Sequence, residues 1–221
     1  MTEIPPNCPQ GDACPLVEEV ARLKQEIAEL SELVSTDNLT SLYNFHHFNK
    51  IIGQELERSQ RTAQPTSLIM LDADHFKSVN DQWGHETGNQ ALKLIASCIE
   101  HNVRKLDVAC RYGGEEFAII LPSTDIATAT MVAERIREAV EQTLFVVNQQ
   151  SQETAKLTIS LGVSCSFGQG VGNWQKLVEI ADKELYRAKE SGRNQVCTSV
   201  EEISEQQVTE DEKGALFDIF K

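Results

Sequence analysis

The sequence predicts an α+β fold, with a mixed, largely antiparallel central sheet flanked by helices. Two observations lead there. Apolar, β-prone stretches at residues 108–112 and 117–121 enclose Gly113-Gly114-Glu115-Glu116, which reads as a β-hairpin with an acidic tip. The other strands are separated by helical segments, in the order α-β-α-α-β-β-α-β-α-β, and a hairpin set among helices marks α+β rather than a regular βαβ alternation. The 221 residues, 40% hydrophobic and 24% charged, suit one globular domain of about 150 residues with extensions.

Residues 1–15 form a short polar arm in which Cys8 and Cys14 each precede a proline. In a dimer, four such thiols could bind a metal or form interchain disulfides, although the spacing matches no strong zinc signature. Residues 16–36 follow as a stalk. Leu16, Val20, Leu23, Ile27, Leu30 and Val34 recur at steps of 4, 3, 4, 3 and 4, the seam of a two-stranded parallel coiled coil. With fewer than three full heptads it is marginal alone and needs the attached domains, or a partner protein, to stay zipped.

The main domain runs over residues 37–199. A helix is expected over 45–61, with Phe48, Ile51, Ile52 and Leu56 on one face, and Gln64-Pro65-Thr66 ends it before a strand at 68–73. Helical stretches at 76–82 and 87–103 are separated by Gly84, and the hairpin occupies 108–121 until Pro122 stops it. Further helices at 125–143 and 174–190 flank a strand at 156–165, and a short strand at 195–198 closes the domain. Cys98, Cys110, Cys165 and Cys197 fall in these apolar segments and read as reduced core residues. Residues 200–221 are an acidic tail ending in the apolar cluster Ala215-Leu216-Phe217-Asp218-Ile219-Phe220.

Net charge is −14, from 34 acidic and 20 basic residues, which argues against a nucleic-acid surface. A small anionic substrate remains compatible, because a bound metal and a few local Lys or Arg residues dominate a single pocket. No apolar run approaches a membrane span, and the N-terminus lacks the basic and apolar regions of a signal peptide, so a cytoplasmic protein is expected. The 68–73 strand ends in Asp72 and Asp74, and the hairpin tip carries Glu115 and Glu116. Adjacent carboxylates are unfavourable without a cation between them. Two strand ends presenting carboxylates are what a phosphoryl-transfer site needs to hold Mg²⁺ against a nucleoside triphosphate.

Five motifs in order resemble one family, the GGDEF-domain diguanylate cyclases. They are Asp37-Asn38-Leu39-Thr40-Ser41-Leu42-Tyr43-Asn44, the stretch from Leu71 through Asp72-Ala73-Asp74 to Asp81, Gly84-His85-Glu86-Thr87-Gly88-Asn89, Gly113-Gly114-Glu115-Glu116-Phe117, and Ala188-Lys189-Glu190-Ser191-Gly192-Arg193-Asn194. The resemblance implies a palm-like nucleotidyl-cyclase fold that condenses two GTP into cyclic di-GMP and two pyrophosphates across a homodimer. It also implies Mg²⁺ (or Mn²⁺), two ions per site, held by Asp72, the carbonyl of Ala73 and Glu115. Glu115 is the implied proton acceptor, and Glu116 completes the acidic cluster. Lys77, Lys189 and Arg193 would face the phosphates. Asn80, His85 and Asn89 would face the base.

Asn89 departs from the pattern, which usually has Asp there. An amide presents donors as well as an acceptor, so guanine preference is in question. Arg104-Lys105-Leu106-Asp107 resembles the family's inhibitory product site, with Arg135 as its secondary contact. The alternative reading is a catalytically inactive or mixed-nucleotide (cyclic GMP-AMP-type) signalling module. The implied partners are GTP, a second copy of the chain through the coiled coil, and a regulatory protein docking on the stalk.

Overall fold

The computed structural model describes residues 19–24, 26, 35–148, 153–166 and 174–199. The arm, most of the stalk and the tail lie outside the described residues, as do Cys8 and Cys14. Residues 19–24 are helical, and the seam positions Val20 and Leu23 are 48% and 43% exposed on the single chain.

The domain opens with β1 (Tyr43–Asn44) and α1 (Phe45–Thr62), followed by β2 (Thr66–Ala73), α2 (Phe76–Trp83) and α3 (His85–Asn102). The hairpin β3 (Val108–Arg111) and β4 (Glu116–Pro122) comes next, then α4 (Ile126–Gln142), β5 (Phe145–Asn148), β6 (Glu153–Ala155), β7 (Ile159–Ser166), α5 (Trp174–Glu190) and β8 (Val196–Thr198). Six strands form one sheet in the order β1-β3-β4-β2-β7-β8. Its inner pairings are antiparallel, and only the edge strands β1 and β8 pair in parallel. Among the described residues no helix is long and apolar enough to cross a membrane.

The central strand explains its own sequence. All eight residues of β2 are buried, and between the polar Thr66-Ser67 at its start and Asp72 near its end the strand is apolar on both faces, from Leu68 to Leu71. Ile69, Leu71 and Ala73 pack with α2, α3 and α4 in the larger core. Leu68 and Met70 face the other way, against Phe48, Ile52 and Leu56 of α1 and Leu177, Ala181 and Leu185 of α5. Period-2 alternation therefore carries Asp72 onto the α1/α5 face. Glu116 opposes Asp72 in register and shares the parity of Ala118 and Ile120, so it lies on that face too.

Helix ends are held locally. The Asn44 side chain accepts from the amide of His47 at the start of α1, and Asp125 accepts from Thr128 at the start of α4. His75 takes φ 56°, a left-handed conformation that turns the chain from β2 directly into α2.

Within the main domain, the expected helices are all present among the described residues, with ends shifted by at most two residues. The sequence expectations miss β1 and the β5–β6 pair, which forms a separate two-stranded sheet. The cysteine expectation needs correction. All four are free thiols as expected, but among these described cysteines only Cys110 is buried, with its thiol pushed up to about 12 by burial, whereas Cys98, Cys165 and Cys197 are partly buried. They sit near helix and strand ends, where an apolar neighbourhood in sequence does not guarantee a closed one in space.

Candidate active site

The hairpin tip is stitched to the end of β2. The amide of Ala73 donates to the carbonyl of Glu115 at 3.2 Å, so the backbone of the implied metal strand and that of the acidic tip are in direct contact. The turn itself is pinned from below: the amides of Tyr112 and Gly113 both donate to the carbonyl of Glu116, at 2.8 and 3.1 Å. Arg111 closes it from the side. Its Nη2 and Nε donate to the carbonyl of Gly114 at 2.7 and 3.2 Å, and its Nη1 lies 3.2 Å from the Asp37 carboxylate. Asp37 in turn accepts from the amide and hydroxyl of Thr40. One guanidinium thus joins the tip to the domain's entry turn, 74 residues away in sequence.

Lys189 reaches this acidic cluster from α5, with its Nζ 2.9 Å from Asp72 Oδ2. Burial raises the pKa of Asp72, Lys189 opposes the rise, and the charges of Glu116 and Asp74 add to it. Glu115 is raised first by burial and then by the charge of Asp72, with Lys189 again opposing. Asp182, seven residues before Lys189 on the same helix, is raised by burial and by the charge of Glu116. Sequence reading missed Asp182, although two helical turns place it on the face of Lys189. Four carboxylates around one ammonium form a site short of positive charge.

The donor set fits a divalent ion. Among the described residues no three His, Cys, Asp or Glu side chains converge on one point. Mg²⁺ does not need three: it binds through one or two carboxylates and completes its shell with water and substrate phosphates. The Lys189 ammonium seated on Asp72 occupies the position where the field demands a cation.

Asp74 does not join this set. It is 6% exposed and accepts from Thr158 Oγ1 at 2.8 Å, Ser160 Oγ at 2.7 Å and the amide of Asn194 at 3.1 Å. The expectation that Asp72 and Asp74 present together to a metal is corrected. β2 ends at Ala73, and Asp74 lies past the last paired residue, so parity no longer sets its direction.

The remaining expected residues are carried by α2, α3 and the turn after α5. Lys77 is exposed in the first turn of α2. Asn80, half-buried on the same helix, lies against Gly88 of α3. His85 begins α3 and is exposed, and Asn89 is half-buried one turn on. Arg193 follows α5 with φ 63°, its amide donating to the carbonyl of Ala188 at 3.0 Å.

A second location gathers Arg104, Asp107 and Arg135. Asp107 Oδ2 accepts from the amide of Arg104 at 2.7 Å, and the amide of Asp107 donates back to the Arg104 carbonyl at 3.0 Å. Arg135 Nη2 donates to the carbonyl of Asn102 at the end of α3. Burial raises the pKa of Asp107, and the Arg104 amide and the charges of Arg104 and Arg135 oppose it. A cleft of about 370 Å³ opens here, bounded by Glu100, Arg104 and Asp107 on one side and by Thr36, Ser41 and Tyr43 of the entry turn on the other.

A profile of the family described as "Diguanylate cyclase, GGDEF domain" matches residues 34–195. The chain belongs to the GGDEF family. It is 39% identical over 174 residues to the response regulator PleD of Caulobacter vibrioides, spanning 79% of this chain and 38% of that protein. The chain thus covers about two fifths of the length of this curated relative. Among solved structures it resembles the coiled coil and GGDEF domain of DgcB from Caulobacter crescentus in complex with c-di-GMP, at TM-score 0.72 and 31% identity over 83% of this chain and 95% of that one. It also resembles the diguanylate cyclase SiaD of Pseudomonas aeruginosa in complex with its activator SiaC, at TM-score 0.71 and 36% identity over 83% and 72%. The GGDEF motif of this chain takes the form Gly-Gly-Glu-Glu-Phe at residues 113–117.

Proposed function

We propose that the chain is a diguanylate cyclase that joins two GTP into cyclic di-GMP. The observation that carries this reading is the contact of the β2 end with the hairpin tip, which brings Asp72 and Glu115 into one electrostatic unit beside Lys189. Asp72, Glu115 and the Ala73 carbonyl are the groups that would hold Mg²⁺, with Glu116 beside them. When bound, the metal lowers the pKa of a ribose hydroxyl and neutralises triphosphate charge.

The chain's own residues do the rest. Lys189 exchanges its Asp72 partner for the triphosphate, and with Arg193 and Lys77 it offsets charge that builds as the leaving pyrophosphate departs. Glu115, raised in pKa and next to the reacting hydroxyl, accepts its proton. The 3′-oxygen of one GTP forms a bond to the α-phosphorus of the other while the bond to pyrophosphate breaks. A second, symmetric transfer closes the ring. Asn80, His85 and Asn89 orient the base.

Two such sites must meet, and the stalk supplies the means. Val20 and Leu23, half-exposed on the single chain, are seam positions for a second copy. The protein that docks on the stalk is read as an activator, in line with the SiaD complex. Arg104, Asp107 and Arg135 form the inhibitory product site.

Purified protein with GTP and Mg²⁺, its products resolved by mass, tests the reading. The expected product is cyclic di-GMP, also when ATP is added. A dominant mixed cyclic dinucleotide would assign Asn89 the deciding role, and no cyclic product would reject the assignment.

A further inference from the structure

Two successive non-glycine residues in the left-handed region end the last phosphate-facing turn: Arg193 at φ 63° and Asn194 at φ 47°. Such backbone is strained and persists only where its surroundings hold it. Here the holding group is the Asn194 side chain. Its Oδ1 accepts from Arg137 Nη1 at 3.2 Å, and its Nδ2 donates to Glu141 Oε1 at 2.9 Å. A cation on one side and a carboxylate on the other fix which end of the amide points where. Its backbone amide is tied as well, donating to Asp74 at 3.1 Å, two residues beyond Asp72.

The frame behind this turn is a connected set of ion pairs. Arg137 Nη1 lies 2.7 Å from Glu141 Oε2, Arg137 Nε lies 2.7 Å from Glu134, and Lys156 Nζ lies 3.0 Å from Glu141 Oε1. Arg137, Lys156 and Asn194 together hold the Glu141 carboxyl down at about 2, so it stays ionised across the working range. Asp74 is anchored by Thr158 and Ser160. The network therefore bolts one residue, Asn194, to α4, to the β6–β7 connection and to the end of β2. None of its members needs to touch substrate.

We infer that Asn194, braced by Arg137, Glu141 and Asp74, is a positioning residue that locks Arg193 in its left-handed conformation and so aims the guanidinium at the β- and γ-phosphates of the nucleotide. This rests on the reading that Arg193 is a phosphate ligand. It assigns to Asp74 a function different from metal binding, and to the Arg137–Glu141 pair a function beyond surface stability.

The test uses 3′-deoxy-GTP and 3′-deoxy-GMP with Mg²⁺, which bind but lack the attacking hydroxyl, measured by calorimetry on the full chain. Asn194→Gly is the informative variant, because glycine accepts the same φ and removes only the side-chain bonds. It should weaken the triphosphate about tenfold or more and leave the monophosphate within about twofold. Glu141→Gln should shift the same ratio in the same direction. In an Arg193→Asn background, chosen because Asn tolerates left-handed backbone, Asn194→Gly should add nothing. Equal losses for both nucleotides, or a full further loss in the Arg193→Asn background, would overturn the inference while leaving the phosphate reading in place. If Arg193→Asn itself leaves the triphosphate-to-monophosphate ratio unchanged, both fall together.

Discussion

Gly88 is where the structure makes its sharpest demand on the base site. A Cβ added there would lie 1.9 Å from Asn80 Oδ1, 3.0 Å from Asn80 Cγ and 3.2 Å from Phe76 Cζ. Ordinary contact is about 3.5 Å, so Gly88→Ala requires the Asn80 amide to move by roughly 1.5 Å. Phe76 is 8% exposed and cannot yield much. Helix propensity pulls the other way, favouring Ala over Gly by about 1 kcal/mol in a helix interior. The fold should therefore survive, with gain and clash partly offsetting. The base contact should not survive, because a displaced amide forfeits two hydrogen bonds worth about 1–3 kcal/mol together, a loss of roughly 5- to 150-fold in GTP affinity. Calorimetric titration with 3′-deoxy-GTP measures this, and the inosine analogue serves as control because it lacks the exocyclic amine. The discrimination between the two should narrow in the variant. A folded Gly88→Ala protein that binds 3′-deoxy-GTP as tightly as the parent would refute the placement of Asn80 at the base.

Gly162→Ala should cost stability rather than specificity. The new Cβ would lie 2.1 Å from the carbonyl oxygen of Ala181 and 2.2 Å from the amide nitrogen of Leu185, both backbone atoms of α5 that have no rotamer to escape into. A loss of about 2–4 kcal/mol is expected in urea unfolding, and an unchanged midpoint would contradict the backbone contact of α5 with β7. The acidic cluster predicts a pH signature. Asp72 and Glu115 have folded pKa values raised above the ordinary 3.8 and 4.5, so their contribution is fully present at acid pH and is lost as pH rises through the raised values. Mg²⁺ should therefore raise the melting temperature more at pH 7 than at pH 4, and equal shifts at both would count against a carboxylate site. Arg104→Ala should relieve product inhibition and raise steady-state turnover. Binding of cyclic di-GMP equal to the parent's would remove Arg104 from the inhibitory site.

The parts legible in the sequence are those with a long period or a dense motif. The α1, α3, α4 and α5 helices show their buried faces over four or more turns, and Gly113–Phe117 announces a turn by composition alone. β1, β5 and β6 are two to four residues long and carry no period to detect. Asp74 was misread because its spacing from Asp72 suggests a shared face, and only the strand's end at Ala73 shows that the alternation has stopped. Arg111 reaches Asp37 and Asn194 reaches Glu141 across 74 and 53 residues, and such pairings arise from topology rather than local pattern. The parity of β2 and β4 could have placed Asp72 and Glu116 on one face, but only the seat of α5 on Gly162 brings Lys189 to them.

Manganese titration followed by electron paramagnetic resonance, with 3′-deoxy-GTP present, addresses the joint grip of strand end and hairpin tip on one ion. Asp72→Asn and Glu115→Gln should each weaken Mn²⁺ binding by about tenfold or more, and the double variant should lose much less than the product of the two. Independent, multiplying losses, or either variant binding Mn²⁺ like the parent, would mean that the two carboxylates do not share a metal.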